Sequence, residues 1–284
     1  MIVFAIPFRA RETTKDWNGC LLRLKHTLDS VFNQSSPDLK CILVCNDELH
    51  LEKLGGHYDD RLEIIKAELA IPGEWVEMAR DKFWKLTIAA VRIHKILMEQ
   101  PEPEKGIYVM PVDGDDLLNC GIARWCAEHP DANGAVSKDG YVWEEGSAIL
   151  RKYPEMHTFC GSCNIIKMYP EDLPEAMPFP DELSLDRETA GILNARYPIR
   201  FDHGKVVQKY AEEGKPFEVL PFRSTIYLRK TGENISGIAQ KETEERTGEK
   251  DKRFHPVAML RRCNVFKMQP VNGKIKREFG IRND

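Results

Sequence analysis

The 284-residue chain is 42% hydrophobic and 30% charged, with a formal net charge of -4. This composition fits one large α/β domain or two small ones and argues against disorder or a fibrous repeat. The charge is uneven: Lys252 to Asp284 hold nine Lys or Arg against two acidic residues, net +7, which leaves -11 for the rest. A basic tail on an acidic body argues against nucleic-acid binding, because the body would repel phosphate.

In chain order, Ile2 to Pro7 is a continuous apolar run, which predicts a parallel strand covered on both faces. It is far shorter than the roughly 20 residues of a membrane span. The start MIVFAIPFRAR also lacks a basic n-region and a cleavage site, so a cytoplasmic protein is expected. Leu21 to Phe32 repeats apolar residues at helical spacing. Cys41 to Cys45 and Leu62 to Ile65 read as further strands. Phe83 to Met98 reads as a helix with Arg80 or Asp81 at its start, and Ile107 to Val112 as a buried strand leading into Asp113-Gly-Asp-Asp116. The order strand, helix, strand, strand, helix, strand predicts an α/β fold with a mostly parallel central sheet.

Beyond residue 118 shorter strands are expected over Gly134 to Trp143, Cys160 to Lys167 and Phe217 to Leu228, with a helix at about 184 to 196. The chain is expected to divide into a first half at 1–118 and a smaller α+β half of the same domain at 119–238. A linker and basic C-terminal helical tail follow at 239–284, with a helix beginning near Pro256. The eight cysteines lie mostly among apolar residues and read as reduced, buried thiols. Cys160-Gly-Ser-Cys163 has half-site spacing without a second CxxC and reads as structure.

The chemistry concentrates where strands end. The strands at 2–7, 41–45 and 107–112 deliver Arg9 and Arg11, Asp47, and the 113–116 carboxylates just after their carboxyl ends, the edge at which open α/β sheets bind ligands. VDGDD gathers hard oxygen ligands suited to Mg²⁺ or Mn²⁺ bridging to a diphosphate, and Gly114 lets the backbone approach a ligand.

With these pieces the sequence resembles nucleotide-diphospho-sugar transferases of the GT-A fold, family 2-like, over about residues 1–236. The resemblance rests on SVFNQ (30–34), ILVCND (42–47), VDGDD (112–116), FCGSCNIIKM (159–168), LDRETAGIL (185–193) and YLRKTGENIS (227–236). It implies that Pro7 and Arg9 border the nucleotide, that Asp47 meets the base, and that Asp81 and Lys82 sit near base or ribose. Asp113 and Asp115 match the DxD pair as metal ligands, with Asp115 the direct one. Asp186 matches the general base of an inverting reaction, with Leu185 in place of the preceding acid, and Asp181 and Glu182 stand in reserve. Lys230 occupies the place of a C-terminal His ligand and is assigned to the diphosphate; His203 is the substitute metal ligand.

The implied activity is transfer of a sugar from a nucleotide-diphospho-sugar donor to a hydroxyl of a glycan or lipid-linked acceptor in bacterial surface glycan biosynthesis. Peripheral contact of 252–284 with an anionic inner-membrane face, or packing as a solvated helix on the body or on a second subunit of a homo-oligomer, is expected of the tail. The rival readings are a sugar-1-phosphate nucleotidyltransferase and a degenerate nucleotide-sugar-binding module.

Overall fold

The computed structural model describes residues 1–229, 231 and 268–282. Strand β1 (Ile2–Pro7) lies in the middle of a seven-stranded sheet. Ile2, Phe4 and Ile6 pack with Leu24, Leu28 and Val31 of helix α1 (Trp17–Phe32). Val3 and Ala5 pack with Leu86, Ala90 and Ile93 of helix α2 (Trp75–Met98), on the other face. A strand covered on both sides needs apolar residues at every position, which is why the run is continuous.

Parallel to β1 are β2 (Leu39–Cys45) on one side and β4 (Ile107–Pro111) on the other, with β3 (Leu62–Lys66) outside β2. Beyond β4 come β9 (Asn164–Met168), β6 (Gly134–Val136) and β10 (Glu218–Val219). Only β9 runs antiparallel to its neighbours in this sheet, so the expected α/β class with a mostly parallel central sheet is what forms. The crossover from β1 through α1 leads to β2, whereas the crossover from β3 through α2 returns to the opposite flank of β1. The carboxyl ends of β1 and β4 therefore flank a topological switch point, where such sheets open a ligand crevice.

The second sheet has the order β12-β8-β7-β11-β5, made of β12 (Met268–Pro270), β8 (Ile149–Tyr153), β7 (Gly140–Glu144), β11 (Thr225–Arg229) and β5 (Leu117–Leu118). Three short helices complete the described chain before its last strand: α3 (Ile122–Glu128), α4 (Arg187–Arg196) and α5 (Val206–Glu212). Two of the stretches expected to hold shorter strands are divided between the sheets. Gly134 to Trp143 breaks at Ser137, whose hydroxyl donates to the carbonyl of Asp139 (2.7 Å), and Phe217 to Leu228 splits into β10 and β11. Residues 119–238 thus contribute strands to both sheets and complete the central one.

Two boundaries differ from expectation. Helix α1 begins at Trp17, because the side chain of Asp16 accepts the amide of Gly19 (2.9 Å) as an N-cap. Helix α2 begins at Trp75, where Glu77 accepts the amides of Gly73 and Glu74 (2.6 and 3.3 Å). Asp81 is therefore not a helix start; it lies inside α2, paired with Lys85.

Part of the expected tail belongs to the body. Strand β12 pairs antiparallel with β8, and helix α6 (Gly273–Glu278), capped by Asn272, buries Ile275; this residue and Phe279 pack with Tyr141, Leu150 and Leu228. The carbonyl of Glu278 accepts the amide of Cys120 (2.7 Å). The expected linker from 239 and the helix near Pro256 lie outside the described residues.

Candidate active site

Strand β4 ends at Pro111 and turns through Asp113 to Asp116, closed by the amide of Asp116 donating to the carbonyl of Asp113 (3.1 Å). Gly114 faces Phe8 and Leu24: a Cβ there would stand 3.0 Å from the Phe8 ring, too close for comfort, and 3.7 Å from Leu24. The absent side chain lets the carboxylate turn press onto the end of β1 and onto α1. Asp113 donates its amide to the Ser162 hydroxyl (2.9 Å), and its carboxylate pairs with the ammonium of Lys82.

Three carboxylates so close together cannot ionise independently. Burial alone would raise Asp113, but Lys82 more than offsets it, and Asp113 lies below its ordinary value. Asp115 is pushed up to about 6, first by burial and then by the charge of Asp113. Asp116 is fully buried and lies well above the usual carboxylate range, through burial and then through Cys160. The thiol of Cys160 donates to one Asp116 oxygen (3.3 Å), while the other, Oδ1, has no hydrogen-bond partner. Cys160 therefore backs the acidic turn, a role its CxxC spacing did not suggest.

Helix α2 supplies the opposing charge. Lys82 holds Asp113, and one turn on, Lys85 pairs with Asp81 (2.7 Å) with neither exposed beyond a few per cent. Burial raises Asp81 and lowers Lys85, and each partner opposes the shift of the other. Asp81 Oδ1 remains buried without a partner, and Asn46 Oδ1 does too. Arg9 lies close enough to act electrostatically on Asp81, and Asp47 on Lys85. Asp47 accepts the amide of Arg11 (2.9 Å), fastening the loop after β1 to the loop after β2, while Arg9 donates to the Thr13 carbonyl (2.9 Å). Pro7, at the half-buried end of β1, pairs in register with Val44. Pro7, Arg9, Asp47, Asp81, Lys82 and Asp113 thus gather at one sheet edge although they span more than a hundred residues of sequence.

His203 joins them. Burial lowers its pKa, Lys82 lowers it further, and Asp113 opposes both, so the imidazole sits beside the Lys82–Asp113 pair. Among the described residues, no three His, Cys, Asp or Glu side chains form a ready metal cage. Lys230 lies outside the described residues.

The segment 181–186 is fastened to α2 by Arg80, which donates to the carbonyls of Leu183 (3.2 Å) and Leu185 (2.9 Å). Asp186 is the N-cap of α4, accepting the amide of Thr189 (2.7 Å) on one oxygen and its hydroxyl (3.2 Å) on the other. The Thr189 amide, then the hydroxyl, hold it below its ordinary pKa. Asp181 accepts the amide of Leu183 (2.9 Å). Glu182 no longer stands in reserve: it is 1% exposed and both its oxygens are taken by buried Arg200 (2.7 and 2.8 Å), which makes it a structural carboxylate. Arg23, Arg80 and Arg200 organise the site's surroundings through Glu145, the 183–185 carbonyls and Glu182, roles that sequence reasoning missed. Arg23 carried a signal, as a charge beside Leu24 on the buried stripe of α1.

No protein-family model matches the chain, and no curated protein matches it. Solved structures that align with it include two of S. aureus TarS, both at 12% identity over 80% of this chain. For TarS 1-349 the TM-score is 0.40 and 60% of that chain is covered; for the other the TM-score is 0.42 and 36% is covered. The chain therefore spans less than two thirds of either.

Proposed function

We propose that this chain is a metal-dependent glycosyltransferase of GT-A, family 2-like type, which transfers a sugar from a nucleotide-diphospho-sugar to an acceptor hydroxyl. The observation that carries this reading is the cluster Asp113, Asp115 and Asp116 at the switch point of the sheet, with the buried Asp81–Lys85 pair on α2 and the unpartnered oxygens of Asp81 and Asn46 at the same sheet edge. The carboxylates suit a cation and diphosphate; the unpartnered oxygens suit the hydrogen-bonding edge of a nucleobase.

The carboxylates fit Mn²⁺ or Mg²⁺. Asp115 is pushed toward protonation by burial and then by the charge of Asp113, both of which a divalent cation would offset. Such a cation needs only one or two protein carboxylates when phosphates and water complete its shell. Asp113 and Asp115 would hold it, with His203 adjacent, and it would neutralise charge developing on the leaving diphosphate. Lys82, and Lys230 beyond the described residues, would add positive charge on the phosphate side. Asp47, Asp81, Pro7 and Arg9 would border the nucleoside.

Asp186 is assigned as the base of an inverting reaction. Its capping bonds keep it ionised, as a base must be, and each carboxylate oxygen retains a second lone pair for an acceptor hydroxyl. Asp181, in the same segment, is the alternative. The acceptor is read as a glycan or lipid-linked glycan. No helix among the described residues is long and apolar enough to cross a membrane; peripheral attachment through 252–267, or self-association, would bring the chain to a lipid-linked acceptor.

Thermal shift with UDP, GDP and dTDP, in Mn²⁺ and in EDTA, tests the reading. A nucleotide at about a hundred times its Kd adds about 2.7 kcal/mol of apparent stability. Stabilisation by one nucleotide in Mn²⁺, lost in EDTA and in Asp115→Ala, is expected; equal melting in all conditions overturns the reading.

A further inference from the structure

Arg23 reaches from α1 to the turn between β7 and β8, where its Nε and NH2 both donate to Oε2 of Glu145 (3.2 and 3.0 Å). Two of its three nitrogens are thereby fixed, and with them the plane of the guanidinium. The third, NH1, is buried and has no hydrogen-bond partner, although the residue is only 9% exposed. A buried donor without a partner costs free energy that a folded chain ordinarily avoids.

The position of this nitrogen is informative. The next residue, Leu24, faces the bare Cα of Gly114 in the carboxylate turn, and the charge of Arg23 acts on Asp115. On the other side, a Cβ on Gly19 would stand 3.2 Å from NH1 and would collide with Asp16. Glycine thus lets the Asp16 carboxylate lie against the helix beside the orphaned donor.

The surrounding charge selects the ligand. Glu145 already neutralises the guanidinium, and Asp115 and Asp16 add negative charge nearby. A phosphate entering here would meet carboxylates on every side. A neutral hydroxyl or amide carbonyl would not, and it would give NH1 its missing acceptor. In a nucleotide-diphospho-sugar whose diphosphate lies at Asp113 and Asp115, the group next to the phosphates is the sugar.

We propose that Arg23, held in place by Glu145, binds the sugar of the donor and helps decide which sugar is transferred. This rests on the glycosyltransferase reading above. Through Glu145 the second sheet, and not only the nucleotide-binding strands, then takes part in sugar selection.

Calorimetric titrations in Mn²⁺ with UDP and GDP, and with UDP-glucose, UDP-N-acetylglucosamine and GDP-mannose, test it on wild type, Arg23→Gln and Glu145→Gln. Wild type should bind one nucleotide sugar more tightly than the matching free diphosphate. Arg23→Gln should lose that increment, about 10- to 100-fold for one hydrogen bond from a charged donor, and bind the free diphosphate as before. Glu145→Gln, which leaves the arginine but loosens it, should lose part of the increment. Melting temperatures establish that each variant is folded; should Arg23→Gln not fold, Arg23→Lys, which keeps the stem and loses the fork, replaces it. An intact increment in the folded Arg23 variant, or an equal loss for diphosphate and nucleotide sugar, overturns the inference and leaves the glycosyltransferase reading standing. Failure of wild type to bind any of the five overturns both.

Discussion

Replacing Glu182 by Ala separates a structural carboxylate from a catalytic one. Glu182 and Arg200 are 1% and 0% exposed at their side chains and face each other with two short bonds. Removing one member of a buried pair strands the other charge and costs about 3–5 kcal/mol. Arg200 would keep Thr87 (2.8 Å), Asn194 (2.9 Å) and the Phe83 carbonyl (3.3 Å), neutral partners that favour the lower end. At about 2 °C per kcal/mol for a chain of this size, the melting temperature should fall by about 6 °C, read by circular dichroism. Glu182→Gln should cost less, since it leaves hydrogen bonds in place, and Glu182→Leu with Arg200→Met should recover much of the loss. Nucleotide release per folded molecule, measured below the transition, should be unchanged in Glu182→Ala. An unaltered melting temperature together with lost turnover would refute this and make Glu182 the base.

The remaining expectations concern the site. Asp115 has its pKa raised from 3.8 to about 6 on folding, so the folded chain binds the extra proton between those values and loses that stabilisation as pH rises through about 6. Without cation, melting should therefore decline across this window more steeply in wild type than in Asp115→Asn, where buried Asp116 still titrates above its ordinary value, while Mn²⁺ affinity in wild type should weaken as pH falls below about 6. Asp186→Asn keeps the N-cap, so melting should hold while turnover drops roughly 10² to 10⁴-fold and donor binding persists; normal turnover would move the base to Asp181.

The central layer was legible because its residues answer to a single demand. Ile2 to Pro7, Cys41 to Cys45 and Ile107 to Pro111 are buried on both faces, and such strands show in sequence as unbroken apolar runs. The short strands after residue 116, in both sheets, were less legible for the opposite reason: β5 and β10 have two residues each, too few for any period, and the break at Ser137 follows from a side-chain bond to a neighbouring carbonyl. Asp113, Asp115 and Asp47 stood out because charge directly after a buried strand has few structural uses, whereas Lys82, inside α2, was implied by the resemblance alone. Arg23 and Arg200 were not, since their meaning comes from Glu145 and Glu182, partners that chain spacing does not bring together.

Lys82 decides how the acidic turn is used. Its ammonium occupies the Asp113 carboxylate that the DxD resemblance assigns to a metal, so a divalent cation and Lys82 compete for one partner. Burial would lower Lys82, but Asp113 outweighs it and raises the pKa above its ordinary value, so the ammonium stays charged throughout the physiological range. A fixed positive charge within a few ångströms repels an incoming divalent cation by well over 1 kcal/mol, even at an effective dielectric of about 20. Lys82→Met keeps the stem length and deletes the charge; Mn²⁺ titrated alone should then bind at least about ten-fold more tightly. If Lys82 moves to the diphosphate when donor enters, the same variant should bind nucleoside diphosphate in saturating Mn²⁺ more weakly than wild type, so the two affinities shift in opposite directions. Unchanged Mn²⁺ affinity would mean that the cation is not held by Asp113. Tighter Mn²⁺ with unchanged diphosphate affinity would mean that Lys82 only guards the acidic turn before the metal arrives.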